Sequence, residues 1–178
     1  MRPAPSSLTQ IKMDAEARLY HGLDDSGIDY DVVEHQPVFT VAESSALHDQ
    51  LPGTHSKNLF LKDNDAVFWL VTVPAEIRVD LKALPAVIGS KRLSFGKADD
   101  MERLIGLTPG SVTPLGAINA EPKSLNVVLD CEIAAAERVW VHPLRNSASL
   151  GIAGSDLLNQ LRAWGHSPLI SDIPRVTA

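Results

Sequence analysis

The sequence predicts a single α+β domain: a mixed β-sheet with helices packed around it. Three observations carry this. Helical and strand-like patterns are interleaved along the chain, yet the strands include a hairpin, so the sheet holds antiparallel as well as crossover connections. The run Ala66-Val-Phe-Trp-Leu-Val-Thr-Val73 is apolar on both faces, as a central strand covered on both sides must be. The chain has 178 residues, 44% hydrophobic and 21% charged, which fits one globular domain with a substantial core.

The elements follow in order. Residues 1–13 begin Met1-Arg-Pro-Ala-Pro-Ser-Ser-Leu8; two prolines and two serines favour no regular element, so this is read as a flexible lead-in and the domain as residues 14–178. Asp14 to Ser26 is helical, with Leu19 and Leu23 on one face, Ala15 aligned beneath them and Gly27 at the C-cap. Tyr30 to Glu34 reads as a short strand ended by His35-Gln-Pro37. Thr40-Val-Ala-Glu43 is a capping box that opens a helix through about His48, and Leu51-Pro-Gly53 stops it. Asn58–Lys62 and Ala66–Val73 form a hairpin around Asp63-Asn-Asp65, residues that tolerate tight turns. Lys57 and Asn58 are thereby placed where a loop enters the sheet.

Asp80 caps a short helix through Leu84, ended by Pro85. Arg92 to Phe95 is a short strand. Met101, Leu104 and Ile105 have helical spacing within Asp99–Ile105, terminated by Gly106. Asn126–Leu129 and Arg138–His142 are β-rich, with a turn or short helical link at Ala134–Glu137. Ser149–Ile152 is a further strand. Ser155 is read as the N-cap of a last helix whose apolar stripe is Leu157, Leu158, Leu161 and Trp164; Gly165 ends it, and Leu169-Ile170 adds an edge strand. There is no internal repeat or low-complexity segment.

Composition narrows the function. No apolar run approaches the ~20 residues of a membrane span, and the N-terminus lacks a signal-peptide core. The single cysteine, Cys131, excludes an internal disulfide and fits a reducing cytoplasm; it lies in a strand-like run and is read as a packed core residue. Net charge −6 argues against broad DNA binding but leaves room for a protein that grips only an RNA end. Between Leu81 and Ala98 there is no acid, while Lys82, Lys91, Arg92 and Lys97 are basic: either a solvated face or a phosphate contact. The six histidines form no His-x-x-x-His pair and there is no cysteine pair, so no metal and no other cofactor is expected. No Gly-x-Ser-x-Gly elbow and no nucleotide-binding glycine motif is present.

What remains is a lysine, backbone donors and the substrate's own groups. Leu107-Thr-Pro-Gly-Ser-Val-Thr-Pro-Leu-Gly-Ala117 breaks helix and ladder repeatedly. Such a segment turns tightly and can leave N–H groups free for an anion or a developing oxyanion. A Gly-x-x-x-Pro loop alone is an ordinary connection; it gains meaning beside Ser56-Lys57-Asn58-Leu59-Phe60-Leu61 upstream and His142-Pro143 with Asn146 downstream.

This combination resembles the YbaK/ProX family of aminoacyl-tRNA deacylases, relatives of the editing domain of bacterial prolyl-tRNA synthetase. The resemblance runs from about Leu19 to Ile170. It rests on Val38-Phe-Thr40, on Lys57-Asn-Leu-Phe-Leu61 with Lys62-Asp63, on Gly110-Ser-Val-Thr-Pro114, and on Val141-His-Pro143 with Asn146. Lys57-Asn58 and His142 are most similar to the branch that removes alanine mischarged onto tRNA(Pro); the cysteine-removing branch is the close alternative.

The resemblance implies a strongly bent mixed sheet and a hydrolysis with neither metal nor covalent enzyme intermediate. Water attacks the ester that joins the amino acid to the terminal adenosine, helped by that adenosine's free ribose hydroxyl. Lys57, Gly110 and Ser111 are the expected catalytic residues: Lys57 on the carbonyl or the terminal phosphate, the loop N–H groups on the oxyanion. Asn58, Val112, Thr113, Pro114, His142 and Asn146 are expected to bind substrate, Asn58 through the ribose or the amino group. The implied partners are the acceptor end of mischarged tRNA(Pro) and prolyl-tRNA synthetase. Two other classes stay open: a tRNA- or synthetase-binding module without catalysis, and a hydrolase of another small ester.

Overall fold

The computed structural model describes residues 7–38 and 41–177. The strands are β1 (Tyr30–Glu34), β2 (Thr54–Asp63), β3 (Phe68–Pro74), β4 (Leu93–Phe95), β5 (Asn126–Asp130), β6 (Val139–Val141), β7 (Ala148–Ile152) and β8 (Leu169–Ser171). The helices are α1 (Ser7–Asp25), α2 (Val41–Gln50), α3 (Leu84–Ile88), α4 (Ala98–Ile105), α5 (Cys131–Ala135) and α6 (Gly154–Ala163), with 3-10 turns at Pro109–Ser111 and Pro114–Asn119. One sheet runs β1-β7-β6-β2-β3-β5-β8, with β4 added to β2. It is mixed: β2 is antiparallel to β3 and β4 but parallel to β6, and β5 is parallel to β3 and β8. This is the α+β architecture that the interleaved pattern predicts.

β3 is central and buried at every position. Its alternation feeds two cores. Phe68 and Leu70 pack with Leu19, Leu23, Leu115, Leu157 and Leu161 on one face; Trp69, Val71 and Val73 pack with Leu61, Leu84, Ile88 and Ile173 on the other. The predicted stripes of α1 and α6 therefore cover the same core, and Leu169-Ile170 is the expected edge strand.

β2 positions the site. On one edge it pairs β3 from Ser56 to Lys62; on the other it carries β6 at Thr54–His55 and β4 at Leu61–Asp63. The residues between are left without a strand partner on that second edge. Ala75 N–H donates to the His55 carbonyl and Asp63 N–H to the Val67 carbonyl, so the odd-numbered backbone groups of β2 face β3. Those of Ser56 and Asn58 face the other edge, as does the Phe60 carbonyl, which accepts from Gly96 N–H.

Several boundaries differ from the sequence reading. α1 starts at Ser7, so residues 7–13 are its first two turns rather than lead-in; residues 1–6 lie outside the described residues. β2 starts at Thr54, so Lys57 and Asn58 sit within the strand, paired with Val73 and Thr72, and not at its entry. Pro85 opens α3 in place of ending a helix, because its missing N–H costs nothing in a first turn; Asp80 instead accepts from Lys82 N–H and Ala83 N–H in the turn before it. α6 begins after Ala153, with Ser155 inside the helix and exposed. Cys131 is exposed, not packed: the buried Asp130 carboxylate accepts from Glu132 N–H and ends β5, which makes Cys131 the first residue of α5. The predicted capping residue Thr40, with Phe39, lies outside the described residues.

Candidate active site

A cavity of about 380 Å³ opens where β6 leaves the edge of β2. Its floor is β2 from His55 to Asn58. Val38 and α2 residues Ser44, Leu47 and His48 form one wall, Pro109, Gly110 and Val112 a second, and Trp140, Val141, His142 and Ser149 a third. Lys57 and Asn58 point to opposite faces of the strand, and both reach the cavity because it wraps the strand's open edge.

Lys57 is half-buried and makes no hydrogen bond or ion pair with the described residues. Among the described residues it is the only lysine or arginine in the lining, and none of those lining residues is a carboxylate. Asn58 is fixed at both ends of its amide. Thr72, fully buried in β3, donates its hydroxyl to Oδ1 at 2.6 Å, and Nδ2 donates to the Val112 carbonyl at 3.1 Å. The second Nδ2 proton is left over. Asn58 thus ties the strand to the loop that carries Gly110.

That loop is two 3-10 turns in succession. Ser111 N–H donates to the Thr108 carbonyl, so it is occupied within the first turn. Gly110 N–H lies in the same first turn, where a helix has no carbonyl to offer it. Thr113 is buried and caps the second turn, accepting from Leu115 N–H, and Pro114 is buried at that turn's start. Asn146 backs the loop: a Cβ placed on Gly110 would lie 3.6 Å from its amide nitrogen. Of the residues expected from the sequence, Lys57, Asn58, Gly110, Val112 and His142 line the cavity. Ser111, Thr113, Pro114 and Asn146 are not in its lining, although Asn146 lies beside Gly110 and Thr113 caps the turn that follows.

Four of the chain's six histidines surround this space. His142 Nδ1–H donates to the Ala148 carbonyl at 3.3 Å, which leaves Nε2 as an acceptor. Burial pushes its pKa below the ordinary histidine value, so the ring is neutral at pH 7. His48 stacks on His55 with centroids 3.9 Å apart; desolvation first, and the neighbouring His55 second, lower its pKa too. His55 Nε2–H donates to the Leu51 carbonyl, and His48 Nε2 is 3.2 Å from the Ser44 hydroxyl. His35 Nε2 lies 2.9 Å from the hydroxyl of Ser149. Ser56 donates to the Trp140 carbonyl at 2.7 Å and pins β6 to β2 just below the opening.

The sequence reading missed His48, His55, Ser56 and Trp140. His48 and His55 flank Leu51-Pro-Gly53, and a helix followed by a strand across that break folds the two rings together; the break was legible, the stacking was not. Among the described residues, no three of His, Cys, Asp and Glu converge as metal ligands, and no helix is long and apolar enough to cross a membrane. Among the described residues the arrangement offers the Lys57 ammonium, the Gly110 N–H and the neutral acceptor Nε2 of His142. That set suits a reaction in which negative charge develops on an oxygen inside the cavity.

The aminoacyl-tRNA editing domain model matches residues 35–159, a span that contains the whole cavity lining. The chain is 35% identical over 158 residues to the prolyl-tRNA editing protein ProX of Acetoanaerobium sticklandii, covering 88% of this chain and 96% of that protein. It is 37% identical over 145 residues to prolyl-tRNA synthetase associated domain-containing protein 1 of Bos taurus, covering 79% and 84%. Its fold is similar to the crystal structure of hypothetical protein APE2540, with TM-score 0.69 and 21% identity over 89% of this chain and 98% of that one. It is equally similar to a candidate trans-editing enzyme for prolyl tRNA synthetase, with TM-score 0.69 and 22% identity over 91% and 98%.

Proposed function

The chain belongs to the aminoacyl-tRNA editing domain family, and on that premise we propose that it is a trans-acting deacylase of mischarged tRNA(Pro), with alanine as the amino acid removed. The observation that carries this is the meeting of Lys57, Asn58 and Gly110 in one cavity whose described lining holds no carboxylate. A binding module has no need of such a convergence.

The chemistry follows from the donors present. The ester carbonyl enters with its oxygen between Lys57 Nζ and Gly110 N–H. A water, oriented by the free ribose hydroxyl of the terminal adenosine, adds to the carbonyl carbon. Lys57 and Gly110 N–H then stabilise the oxyanion. The bond from carbon to the ribose oxygen breaks, and a proton from the water ends on that oxygen. The leftover proton of Asn58 Nδ2 and the acceptor Nε2 of His142 hold the ribose and the amino group. On this reading the substrate's own ribose hydroxyl orients the water and relays its proton.

The choice of alanine rests on size. A synthetase pocket built for proline rejects a smaller side chain by only about 1–3 kcal/mol per missing methylene. On this reading a second site, whose apolar lining includes Trp140, Leu47 and Val112, supplies the missing discrimination by excluding the larger product. The partners on this reading are the acceptor end of tRNA(Pro) and prolyl-tRNA synthetase, in the cytoplasm. The test is incubation with Ala-, Cys- and Pro-tRNA(Pro). Hydrolysis of the alanine ester with the proline ester spared is expected. Preference for the cysteine ester would move the assignment to the other branch, and binding without hydrolysis would refute the enzyme.

A further inference from the structure

Phe95 is 62% exposed, while no other large apolar residue among those described exceeds 43%. Its register makes this more than a stray surface ring. Phe95 pairs with Leu61 across β4 and β2, so its side chain shares the face of Leu61, Leu59 and Lys57. Four residues of strand at ~3.3 Å each, with one strand spacing of ~4.8 Å across, put Phe95 about 14 Å from Lys57 on that face.

The backbone there is held. Gly96 N–H donates to the Phe60 carbonyl at 2.8 Å, and Gly96 lies so close to the Phe60 ring that a Cβ would not fit. Phe95 is thereby presented outward by a fixed chain. Around it, Lys91, Arg92 and Lys97 are exposed and free of ion pairs with the described residues. Arg103, Arg138, Arg145 and Arg175, by contrast, are each paired with an acid. The run from Leu81 to Ala98 contains no acid, and Asp63, which lies beside it on β2, is buried and accepts from the N–H groups of Asp65, Val67 and Lys91. On a chain of net charge −6, exposed unpaired cations on both sides of an exposed aromatic ring match a single-stranded nucleic acid: bases stack on the ring and cations follow the phosphates.

We propose that Phe95 is a stacking platform for an unpaired base in the 3′ end of the bound RNA, with Lys91 and Lys97 on the flanking phosphates. This rests on the deacylase reading, which places the terminal esterified nucleoside at Lys57. At ~3.4 Å per stacked nucleotide the intervening 14 Å is a few nucleotides, the length of a tRNA's single-stranded terminus.

The experiment measures binding of tRNA(Pro) transcript, and of the same transcript lacking its unpaired 3′ nucleotides, to the parent protein, Phe95→Ala and Phe95→Trp. Phe95→Ala should weaken binding of the intact transcript about tenfold or more, the effect of one lost base stack. It should leave the truncated transcript unaffected, and Phe95→Trp should restore affinity. Lys91→Ala with Lys97→Ala should flatten the salt dependence of binding. With Ala-tRNA(Pro), the Phe95→Ala loss should fall on KM. Equal loss on both transcripts, parental affinity of Phe95→Ala, or a loss confined to association with prolyl-tRNA synthetase would overturn the platform. A parent that binds the intact transcript through Phe95 but hydrolyses no ester would sink the deacylase reading and leave the platform standing.

Discussion

Removing the Lys57 ammonium tests the site most directly, because no other lysine or arginine lines the cavity among the described residues. A unit charge about 4 Å from an oxyanion at an effective dielectric of 20 contributes ~4 kcal/mol. Lys57 is only half-buried, so solvent screens part of this. A loss of about a hundred- to a thousandfold in single-turnover deacylation is therefore expected for Lys57→Ala, the range seen when one oxyanion donor is removed. The loss falls on the chemical rate if the contact strengthens as charge develops, and on affinity if Lys57 grips phosphate equally in both states. Lys57→Arg should rescue only in part, since a planar fork replaces a compact charge. Stability should change little: the side chain makes no hydrogen bond or ion pair with the described residues, and its backbone pairing to Val73 survives the substitution. A Lys57→Ala protein that melts normally and deacylates at the parental rate would refute the assignment.

Asn58→Ala should cost both activity and stability, since it leaves the buried Thr72 hydroxyl and the Val112 carbonyl unpaired; about 1–3 kcal/mol is expected, read as a Tm drop of a few degrees that a simultaneous Thr72→Val change partly relieves. Cys131 should react with a thiol reagent in the folded protein, because it is exposed at the start of α5, and Cys131→Ser should turn over normally; a thiol that reacts only after unfolding would contradict the placement. Folded His48 and His142 both have pKa values below the ordinary one, so the unfolded chain binds protons that the folded chain refuses; their contribution to stability is full above about pH 6.5 and is lost as pH falls below it. Thermal melts between pH 7.5 and 5 should show Tm falling with pH, with a shallower slope in His142→Gln.

The sequence carried the architecture further than the site's inner wiring. The continuous apolar run Ala66–Val73 and the four-residue spacing of Leu19 with Leu23 reflect burial, and burial is what apolar patterning records. Boundaries set by single hydrogen bonds were less legible. Asp130 caps a helix in the middle of an apolar run, and Pro85 has the same residue type whether it opens a helix or ends one. Residues that meet only through topology carried no local signal: His48 stacks on His55, and Ser56 reaches Trp140 from a strand 84 residues away. The Gly110 loop was recognisable by composition, but which of its N–H groups is free depends on the Thr108 carbonyl.

The adjacency of Lys57 and Asn58 has its own physical logic. Consecutive strand residues point to opposite faces, so the pair divides its labour by position. Asn58 turns to the side where Thr72 and the Val112 carbonyl lie, and there it makes bonds that hold the loop. Lys57 turns to the other side, where it makes no hydrogen bond or ion pair with the described residues. Rigidity and reach come from one backbone, and the strand fixes the Gly110 donor and the free ammonium relative to each other through a single residue step. A one-residue shift of the β2–β3 register would exchange the two faces and destroy both functions at once. Register is set here by the two cores, through Phe60 on one face and Leu61 on the other. The packing that stabilises the sheet is therefore also what aims the lysine.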